Sequence, residues 1–191
     1  IGAVAVRGNP LDPETKKFDL AKYQALCRRI EAGFKNGELR GYRGFRGADL
    51  INAKQILTRR NINRMVAKDQ YISPCYAGQL MAVLHANGDV YPCEILSKKI
   101  GNLKDYDYDF KRLWTDHQQQ EIYKWIRDTK CHCTFECAWT LNILYNPAYI
   151  PRVATTYAQI KLGKLQRRLL GSPAPTPTQE AAPVVQPAGS S

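Results

Sequence analysis

The chain lacks any run of eighteen apolar residues, so no segment of it reads as a membrane-spanning helix. It also opens without the charged, apolar and small-residue succession of a signal peptide. That second absence excludes little. Position 1 is Ile, and IGAVAVRG reads as a buried strand already under way, so the expectation is a piece of a longer protein. Internal repeats are missing. Acidic residues are few beside basic ones, 17 Asp+Glu against 28 Lys+Arg, for a net charge of +11. The basic residues are spread along the chain, which favours a solvated basic surface over contact with nucleic acid, anionic lipid or a phosphorylated substrate. GYRGFRG is glycine-rich and basic, but it lacks the strand-then-helix setting and the Lys-Ser/Thr of a phosphate-binding loop.

What is present begins with helical periodicity. Leu20, Tyr23, Leu26, Ile30 and Phe34 recur at helical spacing behind Asp19, a candidate N-cap, and Asn36-Gly37 ends the run. Residues 48–68 read as a second helix carrying Arg59, Arg60, Arg64 and Lys68. QLMAVLH and DVYPC are β-prone runs flanking Asn87-Gly88, a strong hairpin signal in which Gly88 takes the positive φ of the turn. IGNLKDYDYD reads as a loop, with Tyr106 and Tyr108 as packed rings at a turn. Residues 109–129 read as one or two helices with Phe110, Leu113, Trp114, Ile122, Trp125 and Ile126 facing inward. Residues 148–170 read as a basic amphipathic helix with Ile150, Val153, Tyr157, Ile160, Leu165 and Leu169 on one side. The stretch from Gly171, rich in Pro and Ala, is expected to be disordered.

The six cysteines are where chemistry is expected. Cys131, Cys133 and Cys137 crowd into one short segment around His132, too close to pair well as disulfides but suited to converge on a metal. Twelve residues separate Cys75 from Gly88 and four separate Gly88 from Cys93, so folding the hairpin brings those two thiols together. Four thiolates suit zinc or an iron–sulfur cluster. A first pair spread over a whole hairpin, followed by C-x-C-x-x-x-C, is an unusual zinc pattern and favours iron–sulfur. Cys27, alone on the first helix, reads as a small buried residue. His85, His117 and His132 read as structural or solvent-facing, Glu136 as a cap or surface group, and Trp114, Trp125 and Trp139 as core.

CYAGQLMAVLHANGDVYPCEI, then IGNLKDYDYDFKRLW, then CHCTFEC together resemble the SPASM/twitch auxiliary-cluster domain of radical S-adenosylmethionine enzymes. The shared features are Cys75, Gly88 and Cys93 in the family's spacing, the Ile100-Gly101-Asn102-Leu103 turn, the Leu113-Trp114 helix and the closing cysteine group. The resemblance covers about residues 72–146. The longer family pattern has seven cysteines and two clusters, whereas this region has five, so the resemblance implies one auxiliary [4Fe–4S] cluster. Cys75, Cys93 and Cys137 are its expected ligands, with Cys133 as the fourth and Cys131 as the spare. Full ligation by cysteine favours an electron-transfer role, and an open iron would allow substrate binding.

The catalytic C-x-x-x-C-x-x-C triplet of such enzymes is missing, so no S-adenosylmethionine site is expected in this chain and it should be inactive alone. S-adenosylmethionine and a second [4Fe–4S] cluster are expected only in the full-length parent. The expected fold class is α+β: a cluster-binding hairpin wrapped by helices, preceded by a remnant strand and helix of a partial (β/α) barrel. The implied division is residues 1–70 for the barrel end and linking helix and 71–147 for the auxiliary domain. The basic helix over 148–170 then precedes the tail at 171–191. Arg7, at the end of the remnant strand, approaches substrate or cofactor in that scheme. Expected partners are the N-terminal barrel in cis, an electron donor such as a flavodoxin or ferredoxin, and an unknown substrate, all in the cytoplasm. A zinc-binding interaction module, open to nucleic acid, is the alternative, and a disulfide-stapled secreted domain ranks below it.

Overall fold

The computed structural model describes Ala5, residues 11–39 and residues 45–170. The strand expected over residues 1–8 with its Arg7, most of GYRGFRG, and the tail from Gly171 lie outside the described residues.

Six α-helices and three short strands follow one another as α1 (Leu20–Lys35), α2 (Ala48–Lys68), β1 (Val83–Leu84), β2 (Asp89–Tyr91), β3 (Gly101–Asn102), α3 (Phe110–Trp114), α4 (His117–Asp128), α5 (Glu136–Leu144) and α6 (Ile150–Leu169). The class is α+β. The Asp19 side chain caps α1 by accepting from the Lys22 N–H at 3.0 Å. Asn36 closes that helix, and Gly37 follows in the left-handed region at φ 74°. Helix α2 spans the expected residues.

Strands β1, β2 and β3 form one antiparallel sheet, with Leu84 opposite Val90 and Val90 opposite Gly101. The turn between β1 and β2 is closed by the Gly88 N–H donating to the His85 carbonyl at 2.9 Å, with Gly88 at φ 95°. Asn102 braces it, donating to the Asn87 carbonyl and to Asp89 Oδ1. IGNLKDYDYD is not the expected plain loop. It supplies β3 and a 3-10 turn at Leu103–Tyr106, because Ile100 and Gly101 complete the ladder on the free side of β2. Of its two rings only Tyr106 packs, donating to Asp116 at 2.8 Å; Tyr108 is 69% exposed.

The apolar residues sort into three groups. Val90, Ile100, Leu113, Ile122, Ile126 and Phe135 form the core beneath the sheet. Leu57, Ile62 and Met65 of α2 meet Trp139 and Ile143 of α5 and Tyr149. Ile30 and Phe34 of α1, Ala53 and Ile56 of α2 and Ile160 of α6 make the third. Helix α5 therefore belongs to two cores, through Ala138 on one side and Trp139 and Ile143 on the other. The sequence reading had no helix there.

Two inward assignments on α3 and α4 are corrected. Phe110 and Trp125 are exposed: Phe110 stacks on Trp114 at the surface, and the Lys98 ammonium stands 4.5 Å over the Trp125 ring. Leu26 of α1 is exposed as well. In α6 only the centre of the stripe is buried. Ile150, Leu165 and Leu169 face outward because α1 and α2 cover only the middle of this helix. That covering is close: a Cβ on Gly163 of α6 would lie 2.0 Å from the Lys35 carbonyl oxygen. None of the described helices is long and apolar enough to cross a membrane.

Candidate metal centre

The hairpin and the segment after α4 carry the cysteines to one place. Cys93 follows β2 directly, is 5% exposed, and packs with Val90 and Ile100 in the core beneath the sheet. Cys75 precedes a tight loop in which the Gly78 N–H donates to the Met81 carbonyl at 3.0 Å. That loop is pinned from outside: the buried Gln119 amide of α4 donates to the Gly78 carbonyl, and Asn142 of α5 accepts from the Tyr76 N–H at 3.0 Å. Cys131 leaves the end of α4 with its N–H on the Ile126 carbonyl at 2.9 Å. Cys133 stands just before α5, and its carbonyl accepts from the buried Trp139 indole at 2.9 Å. Each thiol is thus positioned by a backbone bond or by a buried partner in its flanking segment.

Cys75, Cys131 and Cys133 pack against the same core that holds Cys93. They are close enough to act on one another as charges. Burial pushes the Cys75 thiol up to about 11, and the neighbouring charges of Cys133 and Cys93 add to the rise. Burial likewise pushes the Cys131 thiol up to about 12, with Cys75, Cys133 and Cys93 contributing. Two of the sulfurs already receive backbone donors from two residues further on. Cys75 is bonded by the Ala77 N–H, and Cys133 accepts from the Phe135 N–H at 3.4 Å. Such N–H···S bonds stabilise thiolate and tune the potential of an iron–sulfur centre.

The ligand expectation named Cys137 and left Cys131 as the spare. The structure brings Cys131 to Cys75, Cys93 and Cys133. It sets Cys137 in the first turn of α5, exposed, where its charge acts on Lys54. Cys27 is buried on α1, in the helical layer. The histidines are occupied elsewhere. His85 meets Tyr91 edge-on, His117 faces Glu121, and His132 Nδ1 lies 2.8 Å from the Lys130 carbonyl. Glu136 begins α5, and its charge acts on Tyr23 and Lys54. The sequence reading missed Gln119, Asn142 and Trp139 as positioning groups. A buried amide and a buried indole leave no periodic signal, and each shows its role only through the loop it grips.

Among the described residues, no three His, Cys, Asp or Glu side chains converge closely enough to hold a single metal ion. A zinc ion draws its sulfurs to about 2.3 Å of one point. A donor set made only of soft sulfur suits zinc or an iron–sulfur cluster.

The raised thiols also set the pH response of the metal-free chain. A folded-state pKa above the ordinary 9.0 for Cys75 and Cys131 means the folded form holds those protons more tightly than the unfolded one. Their contribution to stability is complete below pH 9 and is lost as pH rises towards 11–12. Urea unfolding of the metal-free chain should show a lower midpoint at pH 10 than at pH 8. Equal midpoints would mean that the thiols are not buried together.

Searches of curated proteins and of solved structures gave no match to the chain. The scan of protein families gave one: residues 75–138 match the family model of SPASM, an iron–sulfur cluster-binding domain. The matched segment runs from the first thiol of the group to the start of α5, and so encloses Cys75, Cys93, Cys131, Cys133 and Cys137, the sheet and helices α3 and α4. This stretch of the chain is thus similar to SPASM, an iron–sulfur cluster-binding domain.

Proposed function

We propose that the chain holds one [4Fe–4S] cluster on Cys75, Cys93, Cys131 and Cys133, as the auxiliary centre of a radical S-adenosylmethionine enzyme. The observation that carries this reading is the grouping of four thiols, three of them half-buried and one fully buried, around one core. That grouping supports Cys131 over Cys137 as the fourth ligand. Residues 1–70 are then the end of the parent's barrel, and residues 71–147 are the auxiliary domain. S-adenosylmethionine and the catalytic cluster belong to the N-terminal part of the parent, and a flavodoxin or ferredoxin supplies electrons.

When bound, such a cluster supplies a one-electron acceptor for a substrate radical. The protein's own contribution is to present four thiolates in a dry setting. Cys93 sits in the hydrophobic core, and the Ala77 and Phe135 N–H groups donate to Cys75 and Cys133. Four cysteine ligands leave no open iron, which favours electron transfer over direct substrate ligation. Burial and N–H···S bonding are the two levers by which the chain sets the potential.

The test is anaerobic reconstitution with iron and sulfide, followed by metal and sulfide counts and a visible spectrum. About four irons and four sulfides per chain with a broad band near roughly 400 nm are expected for one thiolate-held cluster. Cys131→Ser should lose most of that iron and Cys137→Ser should retain it; the reverse pattern would restore Cys137 to the ligand set. One tightly held zinc with no sulfide, in a colourless protein, would sink the cluster reading altogether.

A further inference from the structure

On the helical side of the molecule, between α1, α2 and α6, lies a cavity of about 690 Å³. This is within the range of small-molecule sites, roughly 300–1,000 Å³. Its walls carry five arginines and a single carboxylate: Arg28, Arg59, Arg60, Arg64 and Arg152, with Glu31. The carboxylate is already committed. Glu31 accepts from Arg60 Nε at 2.9 Å and from Arg60 Nη2, and it pairs with Lys35 at 2.7 Å. The other four guanidinium groups have no claim on it.

Arg59 is the decisive one. Its Nε and Nη1 atoms are buried and have no hydrogen-bond partner. Its guanidinium carbon stands 5.7 Å from the centre of the Phe34 ring, which packs one face but satisfies no N–H. Arg59 as a whole is half-buried, and the two shielded donors are costly because their desolvation is not repaid by an acceptor. Buried polar groups of this kind call for an explanation, and a missing acceptor is the simplest. Around this floor the rim is cationic too, with Arg28, Arg64 and Arg152 exposed at its edge. Asn63, also in the wall, has a buried Oδ1 without a partner.

We propose that this cavity is a binding site for a small organic phosphate, with the half-buried Arg59 turning its fork to the phosphoryl group and Arg28, Arg64 and Arg152 as the rim that draws it in. Guanidinium groups bind phosphate oxygens in pairs of charge-assisted hydrogen bonds, and several converging on one cavity suit a multiply charged anion. A monocarboxylate leaves most of this charge unmatched. The site is built by α1, α2 and α6 and by the residues just before α6, so it does not depend on the cluster reading.

Isothermal titration of the 191-residue chain with inorganic pyrophosphate tests the proposal. Saturable binding of about one equivalent is expected. Arg59→Gln should weaken it at least about tenfold, the scale of a lost bidentate charge-assisted pair. Lys111→Gln, an exposed cation on α3, should leave it unchanged. Should Arg59→Gln fail to fold by circular dichroism, the exposed double variant Arg28→Gln/Arg64→Gln decides, and it should weaken binding likewise. The proposal is overturned by the absence of saturable binding at millimolar pyrophosphate. It is also overturned if Lys111→Gln weakens binding as much as the pocket variants, since that marks unspecific charge. A hexaglutamate peptide that binds more tightly than pyrophosphate, through the same arginines, would replace the small molecule with an acidic protein segment.

Discussion

Cys93→Ala is expected to abolish most iron binding and to unravel the sheet module while leaving the helical layer standing. Cys93 is the most buried of the four grouped thiols, and it joins the end of β2 to the core formed by Val90, Ile100 and Phe135. Its loss removes one of the four proposed ligands and leaves a small void in the same place. Metal binding and folding are coupled where the site is not preformed, with structural zinc contributing on the order of 10 kcal/mol in small domains. Even a modest share of that exceeds what a three-stranded sheet with two-residue outer strands can supply by itself. Iron counts after reconstitution should fall to a small fraction of the parent value. Far-ultraviolet circular dichroism should keep most of its helical signal, because α1, α2 and α6 bury their own core without any of the four thiols. Full iron retention would remove Cys93 from the ligand set. Cys27→Ala is the matched control and should leave iron content unchanged, since that thiol lies on α1 in the helical layer.

The second large effect is expected at Gly163→Ala. In an isolated helix this change is favourable by about 1 kcal/mol. Here the added Cβ would stand 2.0 Å from the Lys35 carbonyl oxygen and 2.9 Å from its carbon. Both atoms are backbone at the end of α1, so no side-chain rotation relieves the clash. Helix α6 must move away from α1, disturbing Ile160 against Ile30, Ala53 and Ile56 and the pairing of Asp49 with Lys161 and Lys164. Overpacking of this kind costs about 1–3 kcal/mol and more when backbone must shift. The net expectation is a loss of about 2 kcal/mol, read as a lower urea midpoint with little change in iron stoichiometry. A midpoint equal to or above that of the parent chain would show that the two helices are not held in this contact.

Much of this architecture was legible in the sequence. The Asp19 cap, the Asn36-Gly37 stop and the 48–68 periodicity mark two helices because capping and amphipathic spacing are local properties. The hairpin was legible for the same reason, since Asn87-Gly88 dictates its own turn. Helix α5 was not, because CAWTLNIL is apolar nearly all round and serves two cores, leaving no stripe to detect. Strand β3 was hidden in a two-residue pairing that only β2 could reveal. At the site, spacing alone could bring Cys75 to Cys93. It could not say which of Cys131 and Cys137 packs beside them, because that depends on where α4 ends and α5 begins. A φ of 51° at Lys130 turns the chain so that Cys131 heads inward, and the first turn of α5 carries Cys137 outward. The arginine cavity was invisible in one dimension, since its cations come from three helices and meet only when these pack.

The division of α5 between two cores bears on the order of maturation. Trp139 and Ile143 can seat against α2 before any iron arrives, which places the Cys133 end of α5 at the edge of a finished helical platform. Cys75 and Cys93 arrive separately, on a hairpin that carries little stability of its own. Nascent chains should therefore pause as a half-built vessel, open on the hairpin side and shut by the inorganic core itself. Iron delivery would then be the last step of assembly, and a chain starved of iron would expose its hairpin to proteases while its helices stay intact.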